Sequence, residues 1–173
     1  PVGPVVSSIP LGRRISRSII ANTSARRSVQ NIALVDAGVI FALLNRRDSF
    51  HGAVSDLFVQ GEQLGVTLLT TWPVIAEVCS MLPERVQSAA LDWVKSTQTD
   101  IVNIDAGLDF MRNVMIRYAD LPCDFADASL LYAAQVTKVR EVWTLDRDFY
   151  VYRLPDRSRF SVVPGGGGSP KTR

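Results

Sequence analysis

The stretch Asn31-Ile-Ala-Leu-Val-Asp-Ala-Gly-Val-Ile-Phe-Ala-Leu-Leu44 decides how this chain folds. It is apolar almost throughout and carries one charge, Asp36, at its centre. Residues 32–35 predict a short buried strand and residues 39–44 a helical turn or two, so the acid stands near the junction between them. A carboxylate buried there without a partner is costly. In an open parallel sheet the same place, just past the carboxyl end of a strand, is where ligand sites form.

The alternation continues outward from this stretch. Apolar residues at 50, 53, 54, 57 and 58 have helical spacing and predict a helix over 50–59. Residues 66–69, β-branched and aliphatic, lead into Thr70-Thr71-Trp72-Pro73. That cluster places a Thr cap and an early Pro at the start of a helix, which Pro83 ends near Leu82. Further helices are expected over 85–96, 106–118 and 125–136, and further strands over 101–104, 141–144 and 160–163. Strands separated by helices imply an α/β domain, a three-layer α/β/α arrangement around a central, mainly parallel sheet, spanning 31–164.

With 173 residues, 47% of them hydrophobic, the chain can bury one ordinary core. No apolar run reaches the ~18 residues of a bilayer span, so no membrane association is expected. The net charge of +2 hides an asymmetry. Residues 1–35 hold five Arg (13, 14, 17, 26 and 27) and no acid, whereas residues 36–164 hold seventeen acids against twelve bases, a net of −5. Residues 1–30, rich in Ser, Arg, Pro and Gly, read as a flexible basic leader; a targeting segment or an RNA-touching arm shares that composition. Residues 165–173 read as a flexible Gly-rich tail. Cys79 and Cys123 have no CxxC and no neighbouring His, which excludes zinc-finger spacing. They are expected to be small core residues in a reducing, cytoplasmic setting.

Three further acids stand in apolar surroundings like Asp36. Glu77 is the only charge in Trp72-Pro-Val-Ile-Ala-Glu-Val-Cys-Ser-Met-Leu82, and Asp127 the only charge in Phe125-Ala-Asp-Ala-Ser-Leu-Leu-Tyr-Ala-Ala134. Asp146 follows the strand Val142-Trp-Thr-Leu145. One such acid is explained as a helix cap or a solvated face. Four on adjacent elements repel one another unless a cation neutralises them. Oxygen ligands without His or Cys suit a hard divalent ion, Mg²⁺ or Mn²⁺. Asp124, three residues before Asp127, is either an N-cap or a further member of the metal site. Asp148 ranks below Asp146 on the same loop. His51, the only histidine, reads as a surface or cap-region residue. Arg46 and Arg47 either meet phosphates near the site mouth or form a solvated helix end. Arg147 and Arg153 are further phosphate candidates. Thr144 either orients a metal-bound water or is a plain β-former. No G-x-G-x-x-G, G-x-x-x-x-G-K-[ST] or G-x-S-x-G occurs, which removes those nucleotide-binding and hydrolase classes.

The ordered set Leu-Val-Asp36-Ala-Gly-Val-Ile-Phe-Ala-Leu-Leu, Thr-Thr-Trp-Pro-Val-Ile-Ala-Glu77-Val, Asp120-Leu-Pro-Cys-Asp124-Phe-Ala-Asp127-Ala-Ser-Leu and Thr144-Leu-Asp146-Arg-Asp-Phe149 resembles the PIN-domain ribonucleases, and among them the VapC-type toxins of toxin–antitoxin pairs. The resemblance covers about residues 31–164. It maps the family's acids onto Asp36, Glu77, Asp127 and Asp146, with Asp124 as an added acid. Ala37 and Gly38 stand where the family usually has Ser or Thr. The resemblance implies Mg²⁺- or Mn²⁺-dependent RNA cleavage by metal-activated water, a homodimer, and silencing by a small VapB-like antitoxin. Two other functions fit the same acids less well: a phosphatase-like phosphotransfer enzyme, which wants a second Asp two residues after the first, and a PIN-like module that binds without catalysis.

Overall fold

The computed structural model of the protein describes residues 31–164. The expected leader and tail lie outside the described residues. Five strands are formed, β1 (Ile32–Val35), β2 (Thr67–Thr70), β3 (Asp100–Ile101), β4 (Glu141–Trp143) and β5 (Ser161–Val163). They alternate with six helices, α1 (Ala37–Leu44), α2 (His51–Gln63), α3 (Trp72–Met81), α4 (Ser88–Thr97), α5 (Leu108–Arg117) and α6 (Phe125–Thr137). The strands lie in the order β3-β2-β1-β4-β5, and every neighbouring pair is parallel. The helices flank this sheet in a three-layer α/β/α domain, as expected from the alternation. No helix of the described residues is long and apolar enough to cross a membrane.

β1 is central because its side chains are apolar on both faces. Ala33, Leu34 and Val35 are fully buried, and Leu34 pairs with Leu69 of β2 on one side and Val142 of β4 on the other. From β1 the chain builds β2 and β3 outward in one direction, then crosses back to add β4 and β5 in the other. The carboxyl ends of β1 and β4 therefore border the point where the strand order reverses, the place where open α/β sheets bind their ligands.

The structure shortens one expected strand and lengthens one expected helix. β3 has two residues rather than 101–104, because the Asn103 side chain accepts the Asp105 N–H at 2.8 Å and turns the chain. α2 runs to Gln63 rather than 59, through polar residues with no apolar period, and stops before Gly65, whose φ of +63° suits glycine. Cys79 and Cys123 are free thiols; Cys123 is buried and Cys79 partly so.

Gly61 of α2 lies against the indole of Trp143, and a Cβ added there would strike the ring. The ring is fixed by its Nε1 donating to Glu141 Oε1 at 2.9 Å and by edge contact with Phe58 at 5.3 Å. Ala is the better helix former by about 1 kcal/mol. Gly61→Ala is nevertheless expected to destabilise the domain by roughly 1–3 kcal/mol through overpacking. A urea midpoint that stays or rises in this variant would show that Trp143 yields freely.

Candidate metal-dependent active site

Asp36 is the residue after β1, and its backbone N–H continues the ladder to Trp143 O at 3.0 Å. Its side chain is 6% exposed. One oxygen, Oδ1, caps α1 by accepting the Ala37 N–H at 2.7 Å; the other, Oδ2, accepts the Thr144 hydroxyl at 2.7 Å. Thr144, expected either to orient a metal-bound water or to be a plain β-former, is 2% exposed; its hydroxyl donates to Asp36 and accepts the Asp146 N–H at 2.8 Å. One hydroxyl thus ties the first acid to the last across the switch point. It also supplies the contact that Ala37 and Gly38 do not.

This tie is testable. Thr144→Val keeps size and strand preference but leaves Asp36 Oδ2 and the Asp146 N–H without that partner. A loss of about 1–3 kcal/mol is expected from urea denaturation, with Thr144→Ser close to wild type. Equal losses in both variants would mean the methyl, not the hydroxyl, matters.

Asp127 lies two residues into α6 and is 7% exposed. Asp124 is the N-cap of that helix. The two form a reciprocal capping box, Asp127 N–H to Asp124 Oδ1 at 3.0 Å and Asp124 N–H to Asp127 Oδ2 at 3.3 Å. Of the two readings open for Asp124, the cap is realised, and its exposed side chain also lines an open cleft between α3 and α6. Burial, then repulsion from Asp36, Asp124 and Asp146, pushes the Asp127 carboxyl up to about 8. Three of the expected acids therefore act on a fourth. Asp146 is half-buried and accepts the Asp148 N–H at 2.9 Å, so its loop is pre-bent. Glu77, half-buried on α3, lines that open cleft with Asp124, a cleft that Asp36, Asp127 and Asp146 do not line.

The donor set is all carboxylate, which fits a hard divalent cation, and the raised Asp127 is the sign of charge that lacks compensation. Among the described residues, however, no three His, Cys, Asp or Glu side chains are gathered tightly enough to hold an ion as they stand. Asp36 and Asp127 instead turn their oxygens to hydrogen-bond donors. An ion held here would be bound by small rotations or through water.

The basic candidates divide. Arg46 and Arg47 are exposed beyond the last turn of α1. Its eight residues carry the chain about 12 Å from Asp36, so these arginines lie at the wrong end of the helix for the site mouth. Arg153 is spent locally, its Nη1 donating to the carbonyls of Tyr150, Val151 and Tyr152. Arg147, exposed and adjacent to Asp146, keeps its place as a phosphate candidate. His51 packs Nδ1 on Ala42 O at 2.9 Å, the cap-region role expected of it. Thr71, expected to cap α3, makes no cap bond; its hydroxyl pairs with Ser129 Oγ at 2.5 Å and joins α3 to α6. Sequence reading missed Tyr152. Fully buried, it donates to Asp127 Oδ2 at 3.3 Å and packs on Phe149 and Tyr118. No local spacing links positions 127 and 152, so nothing in the sequence flagged it.

The PIN domain family model matches residues 33–154. No curated protein matches the chain. Among solved structures, that of Mycobacterium tuberculosis VapC20, a sarcin-ricin loop cleaving toxin, is similar with a TM-score of 0.60. The two share 21% identity over 69% of this chain and 93% of that one, a likeness of fold. The family match takes in Asp36, Glu77, Asp127, Thr144 and Asp146 together, and the chain belongs to the PIN domain family.

Proposed function

We propose that this PIN domain is a VapC-type endoribonuclease toxin that cleaves RNA with the help of Mg²⁺ or Mn²⁺. The observation that carries the reading is the buried Asp127, held at the switch point within the field of Asp36, Asp124 and Asp146. A bound divalent cation supplies two things there, a lowered pKa for water and neutralisation of charge building on the phosphate.

The chain's own residues do the rest. In this reading Asp36, Asp127, Asp146 and Glu77 would hold the cation directly or through water, with Asp124 as a further acid. Thr144 keeps Asp36 and Asp146 in fixed relation. The N-termini of α1 and α6 offset part of the carboxylate charge when no cation is bound. Arg147, exposed beside Asp146, is the residue this reading assigns to a phosphate. VapC20, described as a toxin that cleaves the sarcin-ricin loop, supports RNA as the substrate class. A VapB-like antitoxin, a homodimer and a cytoplasmic setting belong to the same reading. Leu108 and Ile116, exposed on α5, are available for such protein contacts.

The test is cleavage of total RNA by the purified protein. Activity is expected with Mn²⁺ or Mg²⁺, lost in EDTA and restored by excess cation. Cleavage that persists in EDTA overturns the mechanism. Absence of both cleavage and Mn²⁺ binding would leave the fold without the chemistry.

A further inference from the structure

The cleft that Glu77 shares with Asp124 has a volume of about 630 Å³, and two aromatic rings stand on it, Trp72 and Phe125. Trp72 is 57% exposed and Phe125 46%, whereas the other two tryptophans, Trp93 and Trp143, are 1% and 2% exposed. Leaving rings of this size half in water forgoes part of the stabilisation that burial gives an aromatic side chain. Their positions are matched. Each is the first residue of a helix, α3 and α6, and each helix carries an acid of the site, Glu77 and Asp127. The two helices pack together, with Thr71 and Ser129 bonded just behind the rings.

The remaining lining residues decide what the cleft can hold. Glu77, Asp105 and Asp124 line it, and no Lys or Arg does. A nucleic acid strand cannot be held here by its phosphates, which these carboxylates repel. The rings offer the other handle, since every base has a face that can stack. Bases inside a duplex have no free face, so the contact requires unpaired nucleotides.

We propose that Trp72 and Phe125 form a stacking subsite that grips unpaired bases of the RNA beside the scissile phosphate. This rests on the nuclease reading for the identity of the strand. Trp72 and Phe125 are positioning residues. They fix where the strand lies while the carboxylates hold the reacting phosphate's cation.

The experiment uses the full chain with Mn²⁺ and oligouridylate, which does not fold on itself, against duplex RNA of equal length. Trp72 is the only exposed tryptophan of the described residues, so stacking is expected to quench fluorescence on rapid mixing with oligouridylate and not with duplex. Trp72→Leu and Phe125→Leu keep apolar bulk without a planar face. Each is expected to raise KM for oligouridylate by about 10-fold or more with kcat nearly unchanged, and Trp72→Phe to restore most of the loss. Wild-type cleavage with no quenching and unchanged KM in both Leu variants overturns the subsite and leaves the nuclease reading intact. Quenching by oligouridylate supports the subsite whether or not that strand is cut, and the nuclease reading falls only if total RNA is also left uncut with Mn²⁺. Unchanged KM with an altered oligomeric mass in the Leu variants would assign the rings to a protein interface and overturn the proposal.

Discussion

Replacing Asp36 by Asn is expected to reduce RNA cleavage by at least ~10²–10³-fold while leaving the fold in place. Asn keeps the size of the side chain, and its Oδ1 still accepts the Ala37 N–H that caps α1. What it loses is the charge, and the acceptor that Thr144 uses, since an amide nitrogen cannot accept the Thr144 hydroxyl. A cation shared by several acids is weakened most by neutralising the one whose surroundings allow least movement. Asp36 is that acid: it is buried, and both its oxygens are fixed. Calorimetric titration with Mn²⁺ and a cleavage assay on the same preparation check this together. Near wild-type cleavage by Asp36→Asn would remove Asp36 from the chemistry and leave it as a helix cap.

The second large effect concerns pH without any added cation. An Asp in the unfolded chain titrates near 4. Burial and the repulsion of Asp36, Asp124 and Asp146 raise Asp127 to about 8 in the folded protein. Between these values the folded state keeps a proton that the unfolded state has released. The stability this proton represents is full below about pH 4 and is lost progressively as pH rises toward 8. The metal-free protein should therefore melt lower at pH 8 than at pH 5, by roughly 2–4 °C for each kcal/mol lost. Asp127→Asn should flatten the dependence and melt higher than wild type at pH 8. Mg²⁺ should raise the wild-type melting temperature more at pH 8 than at pH 5, because a cation favours the ionised cluster. The other shifted groups do not obscure the window. Burial pushes the Cys123 thiol up to about 11, which acts above pH 8, and hydrogen bonds from Ser158 hold exposed Asp156 down at about 2, which acts below pH 4. A melting temperature independent of pH between 5 and 8, or a slope that survives in Asp127→Asn, would mean that the acids around Asp127 are not felt.

Local signals were enough for the elements and for naming the acids. The apolar run at 32–35 ending in an acid gave β1 and its ligand-facing end. Glu77 and Asp127 stood out because each was the only charge in an apolar helix. Glycine at 65 and Asn103 were visible as residues, but their effect on boundaries depended on which neighbour each side chain or turn met. The two readings of Arg46 and Arg47, phosphate contact or solvated helix end, stayed open for a related reason. Arg46 and Arg47 follow Asp36 closely in sequence, yet a straight helix between them converts that closeness into separation. The bond from Thr144 to Asp36 was not legible, because their distance along the chain gave no sign that β1 and β4 are neighbours.

Sequence alone thus determined the α/β class and the alternation of strands and helices, and singled out four acids in apolar surroundings, because periodicity and the cost of burying charge are properties of short segments. Tertiary structure decided which acids feel one another, that a hydroxyl bridges Asp36 to Asp146, that Tyr152 backs Asp127, and that Trp72 and Phe125 share a cleft with Glu77. Those relations are set by strand order and helix packing. They join residues as many as 108 positions apart through contacts that no local pattern encodes.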